Sequence, residues 1–460
     1  MSTPLLERIP PQSLEAEQAT LGAMLMEREA VARVVDTLEV DDFYSPQHQV
    51  LYRAVIDLFN DGDPVDLVTL QARLQDRGQL ETIGGVNYLV TLQEAAPTAA
   101  AVGTYARIVR EKAVLRGLIK AADQIRDLAQ SPADEDVEAV VDRCEQEVFA
   151  VGERTITPAF TALRPLLGEA YDQIDQMQES HRPGVGLLTG FDDLDSYISG
   201  LHSSELIVVA SRPSMGKTAL VLNMAIHVAK TQNKTVGVFS LEMAKEQLAL
   251  RTLCSEAGVN QQNVRQGYVD RGDMDRIAAA ASDLYKAPVY FDDTPTMNVL
   301  HIRGKARRLR AEHGLDLIIV DYLQLVSGYG RFENRNQEIS QVARSLKALA
   351  RELRVPVIAC SQLSRAVEGR GSPRRPLLSD LRESGSIEQE ADVVIFLYRP
   401  NYYGDQELRS AGYLETDRHV AELIIAKQRN GPTGIARLAW IDEHVRFENL
   451  EERFIPPEEM

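Results

Sequence analysis

Cysteine is scarce in this chain: three in 460 residues, Cys144, Cys254 and Cys360, too scattered for a zinc site and too few for a disulfide framework. Such usage fits a reduced, cytoplasmic protein. No apolar run approaches the ~18 residues of a membrane span, and Met1–Leu21 lacks the basic start and apolar core of an export signal. Positive charge is short overall. A formal net charge of −18 argues against a nucleic-acid partner unless basic residues are gathered locally. Strand-like runs are nearly missing before Val151, and no His/Asp/Glu/Cys cluster there has catalytic or metal-ligand spacing.

What is present divides the chain into three parts. Residues 1–151 read as an all-α N-terminal domain, with helical periodicity in Leu14–Met26, His48–Phe59, Leu67–Arg77 and Tyr105–Leu128. An interaction or assembly role suits a unit without chemistry of its own. Residues 152–185 read as a linker carrying one amphipathic helix, Leu163–Gln178, whose stripe includes Leu167, Tyr171 and Ile174. That stripe must be covered by its own domain or by a neighbouring chain. From 186 to 460 strand signals alternate with helical ones, the mark of an α/β fold with a mainly parallel sheet. Strands are expected at Leu206–Ala210, Val236–Ser240, Val289–Phe291, Leu317–Asp321, Val355–Ser361, Val393–Tyr398, Leu423–Lys427 and Arg437–Ile441. Ligands of such sheets gather at the carboxyl ends of the strands.

The first strand runs into Ser211-Arg-Pro-Ser-Met-Gly-Lys-Thr218 and then into a helix. Backbone N–H groups and the positive end of the helix dipole converge there, a field that suits a polyphosphate. Lys217 supplies a mobile charge for the β and γ phosphates, and the Thr218 hydroxyl can ligate a bridging magnesium ion. Ser211 replaces the glycine that the general phosphate-loop pattern asks for, while Gly216, Lys217 and Thr218 keep the turn and the chemistry. Asp321 closes a buried strand, where a carboxylate would hold the magnesium shell. Glu242, just past another strand, either orients the attacking water or only favours a helix dipole.

Gln362 stands where an uncharged amide could sense the γ phosphate. Beyond it Arg365, Arg370, Arg374, Arg375 and Arg382 face only Glu368 and Asp380, with glycine and proline interleaved. In an acidic protein this basic loop is an electrostatic footprint for a phosphate backbone. A second loop, Ser327–Arg335, offers Tyr329 and Phe332 as its aromatics, so backbone contacts indifferent to base sequence are expected. Lys427 and Arg429 lie past a further strand end, either solvated or reaching the nucleotide of an adjacent subunit.

These segments together resemble the bacterial replicative DNA helicases of the DnaB family. The resemblance spans nearly the whole chain, from Pro-Pro-Gln-Ser-Leu-Glu-Ala-Glu17 through Thr189-Gly-Phe191, the phosphate loop, Phe-Ser-Leu-Glu-Met243, Val-Asp-Tyr-Leu-Gln324, Ser-Gln-Leu-Ser-Arg365 and Leu-Arg-Glu-Ser-Gly-Ser-Ile-Glu-Gln389 to Lys-Gln-Arg-Asn-Gly431. It implies RecA-like motor domains in a hexameric ring, ATP and Mg2+ as cofactors, and 5′ to 3′ movement on single-stranded DNA at a fork. Ser214, Met215, Gly216, Lys217, Thr218, Ala219 and Arg251 would contact nucleotide, with Thr218 and Asp321 on the metal. Glu242 would activate water, Gln362 would link the γ phosphate to the DNA loops, and Lys427 with Arg429 would act in trans. Arg365, Arg370, Arg382, Glu383 and the Gly385 backbone would hold DNA. The N-terminal unit would be a collar that contacts primase, the linker helix would dock on a neighbouring motor domain, and a helicase loader or initiator would be a further partner.

Two rivals remain at the level of sequence. A strand-exchange recombinase shares the motor fold but has no use for the helical collar. An ATP-gated ring without turnover would leave Glu242, Asp321, Lys427 and Arg429 superfluous.

Overall fold

The computed structural model describes residues 9–96, 98–130, 186–328, 334–369, 371–414 and 417–450, with isolated positions between 137 and 171 and at 332. Most of the linker helix read at Leu163–Gln178 therefore lies outside the described residues, which include only Leu163, Arg164, Leu167, Gly168 and Tyr171 of it, and Tyr329, Arg370 and the side chains of Arg382 and Glu383 lie outside them too. The chain divides into two compact units, Met1–Pro165 and Leu166–Met460.

The first unit is helical, as its periodicity predicts. Helix Leu14–Met26 begins where Ser13 accepts from the N–H of Ala16, and helix Leu67–Asp76 where Asp66 accepts from those of Val68 and Thr69. Both are side-chain caps of otherwise unpaired donors. Helices Pro46–Asp61, Gly85–Ala95 and Val102–Gln130 pack around Leu21, Met24, Leu51, Tyr52 and Leu89, all buried. Gly22 lets two helices touch, since a Cβ there would lie 2.0 Å from the Leu92 carbonyl oxygen.

The second unit is built on one sheet. Its strands are β1 (Leu206–Ser211), β2 (Val236–Ser240), β3 (Val289–Asp292), β4 (Leu317–Asp321), β5 (Val357–Gln362), β6 (Val393–Tyr398), β7 (Val420–Gln428), β8 (Gly434–Ile441) and β9 (Arg446–Asn449). Their order is β3-β2-β4-β5-β1-β6-β7-β8-β9. The pairings among β1 to β6 are parallel, and β7, β8 and β9 are added antiparallel. Residues of β1 alternate between two cores. Leu206, Val208 and Ala210 face one with the helix Arg335–Leu353, while Ile207 and Val209 face the other with the helix Lys217–Gln232. Burial on both faces explains the unbroken apolar runs, and each such side chain contributes about 1.5–3 kcal/mol.

All eight expected strands form, and β9 is an addition. The edges differ in ways that matter. Gln362 is the last residue of β5 rather than the first beyond it, and Lys427 lies inside β7. Among the described residues no helix is long and apolar enough to cross a membrane.

Candidate functional site

The sheet order sets β1 between β5 and β6, so the chain leaves β1 beside the carboxyl ends of β5 and β4. The loop after β1 turns sharply, with Ser214 at φ 65° and Gly216 at φ 95°. The φ at Gly216 demands glycine, and space is tight as well, since a Cβ there would meet the Phe447 and Trp440 rings at 3.1 Å. The helix Lys217–Gln232 starts at once, aiming its unpaired N–H groups into the turn. Met215 and Ala219 are buried in the core beneath and are not among the residues that wall the cleft.

Side chains then converge above the loop. Thr218 Oγ1 donates to Asp321 Oδ2 at 2.6 Å. Lys217 Nζ lies 3.4 Å from the Ser361 carbonyl oxygen, 3.7 Å from Asp321 Oδ1 and 4.9 Å from the centre of the Tyr322 ring. Asp321 is buried, yet its Oδ1 has no hydrogen-bond partner. An unsatisfied buried carboxylate oxygen is costly, and a cation would satisfy it.

Glu242 is exposed at the rim of this cleft, two residues past β2, and the N–H of Leu241 donates to the Asp321 carbonyl at 2.8 Å. Arg251 comes from the helix Lys245–Ala257, half-buried, with Nε unpartnered. Burial, and next Arg265, push its pKa down, against the pull of Asp321 and Glu242. Gln362 sits opposite Ser211 in the β1–β5 register. Its N–H donates to Gln324 Oε1 at 3.2 Å and its carbonyl accepts from Gln324 Nε2 at 3.1 Å. The cleft encloses about 350 Å3, walled by Ser214, Lys217, Glu242, Arg251, Gln362 and Trp440.

Two lining residues lie in none of the motifs read from sequence, Trp440 and Val445, and Tyr322 was quoted in one but given no role. Trp440 carried a signal, being the chain's single tryptophan on an expected strand. Val445 carried none, because its φ of 52°, unusual for a β-branched residue, is not written in the residue type.

Lys427 and Arg429 are elsewhere. In the antiparallel register Lys427 pairs with Val394, which is level with Val208, and Arg429 N–H donates to the Asp392 carbonyl beside Leu206. They stand at the amino edge of the parallel strands, opposite the phosphate loop. Lys427 Nζ donates to the carbonyls of Glu388 and Ala391, and Arg429 reaches the Gln389 carbonyl at 2.9 Å and the Asp392 carboxylate at 3.2 Å. Burial and then the neighbouring Arg429 push the Lys427 pKa down.

The arginine loop is less uniform than its composition. Arg365 is exposed at the turn after β5, and Arg382, Glu383 and Gly385 follow the backbone of the turn Leu378–Ser384 into the helix Gly385–Glu390. Arg375, counted in the basic loop, is withdrawn: its guanidinium grips the buried Glu422 with bonds of 2.7 and 2.6 Å. Arg374 stacks on the Tyr403 ring at 5.1 Å while its N–H donates to the buried Glu407. Glu368 does not offset the loop arginines, because it takes Arg212 of the phosphate loop.

Two family models match: the DnaB-like helicase N terminal domain over residues 9–111 and the DnaB-like helicase C terminal domain over residues 186–449. The chain is 48% identical to the replicative DNA helicase DnaB of Geobacillus stearothermophilus, over 99% of this chain and 100% of that one. It is 45% identical to the replicative DNA helicase DnaC of Bacillus subtilis (strain 168), over the same shares. A solved DnaB-like replicative helicase, studied with its interactions with primase, aligns at a TM-score of 0.71 and 32% identity, covering 95% of this chain and 100% of its own. Fold, phosphate loop and full-length identity agree: the chain belongs to the DnaB-like family of replicative DNA helicases.

Proposed function

We propose that this ATP-dependent DNA helicase works as a hexameric ring in which each nucleotide site is completed by Lys427 and Arg429 of the neighbouring subunit. The observation that carries this reading is the level of Arg429 beside Leu206, at the amino end of β1. Its own phosphate loop begins at the other end of that strand, roughly 17 Å away at about 3.3 Å per residue. That is beyond the reach of an arginine side chain. A pair of cations set so far from its own phosphates suits a finger extended to an adjacent subunit.

Within one subunit Lys217 would bind the β and γ phosphates, together with Arg251, Ser214 and the loop backbone from Met215 to Ala219. Thr218 and Asp321 would hold a magnesium ion. The fit rests on hard oxygen donors side by side and on an Asp321 Oδ1 that has Lys217 at 3.7 Å but no hydrogen bond, and magnesium needs few protein ligands because it keeps waters. When bound, the ion neutralises charge on the phosphates. Glu242, exposed at the cleft rim, would orient the attacking water. Gln362 would report the γ phosphate to the loop that begins three residues later.

Single-stranded DNA would be held by its phosphates on Arg365, Arg370, Arg382, Glu383 and the Gly385 amide, with little dependence on base sequence. The domains would be a collar at 1–151, a linker at 152–185 and a motor at 186–460. The collar would meet primase, a protein with which a solved DnaB-like replicative helicase interacts, and a loader or initiator would place the ring on forked DNA in the cytoplasm, moving 5′ to 3′. A forked duplex tests the reading. ATP-dependent strand separation is expected, and ATP turnover without separation under any loading condition contradicts it.

A further inference from the structure

We infer that Glu368 is a positioning residue that ties the DNA-facing loop to the phosphate loop, so that nucleotide and DNA alter each other's binding. The inference rests on the reading that the loop after β5 faces DNA. It concerns a link separate from Gln362.

Arg212 belongs to the phosphate loop and lines the nucleotide cleft, yet its guanidinium is held entirely from the other loop. Nε and Nη2 donate to Glu368 Oε1 at 2.9 and 2.6 Å, and Nη1 donates to the Leu363 carbonyl at 2.7 Å. The Leu363 N–H in turn donates to the Ser211 carbonyl at 3.0 Å. Between the strands' ends the two loops are thus clasped by one backbone bond and one charged fork.

The fork is asymmetric. The Arg212 side chain is 9% exposed and the Glu368 side chain 48%. A half-exposed carboxylate regains hydration when it lets go, whereas the buried guanidinium must find another anion. A phosphate is such an anion, since it offers Arg the same paired oxygens as a carboxylate. Arg212 therefore has two alternative partners, Glu368 and a nucleotide phosphate, and the choice moves the loop. Arg374 of the same loop stacks on the Tyr403 ring at 5.1 Å. Two discrete arrangements biased from two sites are what energetic coupling requires.

Glu368→Gln in the full-length protein tests this. Four affinities are measured: a non-hydrolysable ATP analogue with and without oligo-dT, and oligo-dT with and without the analogue. In the wild type each ligand changes the affinity for the other by the same factor, because linkage is reciprocal. In Glu368→Gln that factor is expected to fall about fivefold or more towards unity, with turnover in the absence of DNA within about twofold of wild type and the analogue bound at least as tightly as by wild type, because Arg212 is released to the phosphate. An unchanged coupling factor overturns the inference. A parallel fall in basal turnover and melting temperature also overturns it, because the contact is then only structural. Wild-type protein that binds the analogue but shows no linkage to DNA contradicts instead the DNA-loop reading beneath it.

Discussion

Thr218 donates a 2.6 Å hydrogen bond to Oδ2 of Asp321, while Oδ1 of the same buried carboxylate has no hydrogen-bond partner. Asp321→Asn keeps an acceptor for Thr218 and removes the charge. Turnover should fall at least about 100-fold, and raising the magnesium concentration should not restore it. ATPase rates across a magnesium titration measure this, with melting temperature as the control for folding.

Glu242 is exposed, so replacing it should cost little stability. Glu242→Gln should lower kcat by about 100- to 10,000-fold, as when a group that takes or orients a proton is lost, and leave KM within a few-fold. Steady-state kinetics separate the two. A normal kcat would show that Glu242 does not orient the attacking water.

Gly216 needs both its φ of 95° and the room beneath the Phe447 and Trp440 rings. Gly216→Ala should destabilise the motor unit by about 1–3 kcal/mol through backbone strain, seen in thermal melts. Nucleotide affinity should fall with it, because the displaced turn carries the phosphate-binding amides.

Glu422 is buried and bonded by both Arg375 and the Tyr413 hydroxyl, the latter at 2.8 Å. Glu422→Gln should cost about 3 kcal/mol by removing the carboxylate charge from the Arg375 guanidinium, which keeps the Ala411 carbonyl at 2.9 Å, in a partly buried site. Melting temperature reads that loss. If Arg375 is structural, single-stranded DNA affinity measured well below the melting temperature should change little.

Much of this was legible in the residues. Apolar runs marked β1, β2, β4, β5 and β6 most plainly, because burial on both faces leaves hardly a polar position to blur them, while β3 and β8 are only partly buried. The phosphate loop was legible for a different reason: its chemistry is compressed into neighbouring residues. What stayed hidden depends on direction and on distant partners. The reversal at β7 puts Lys427 and Arg429 at the amino edge, and an apolar run has no arrow. Arg375 looked free in a basic loop because its partner, Glu422, lies far along the chain. Arg212 looked like phosphate-loop filler until the fold brought Glu368 to it.

The claim that a neighbouring subunit completes the site is tested most directly by mixing two dead variants. Lys217→Ala lacks the phosphate-binding lysine, and Arg429→Ala lacks the finger. Each alone should hydrolyse ATP at a small fraction of the wild-type rate. Co-expressed in one ring, they create interfaces where an intact Lys217 faces an intact Arg429, and ATPase activity should reappear. If mixed rings stay as inactive as their parents while wild-type subunits assembled in the same way are active, Arg429 serves its own chain and the account is wrong.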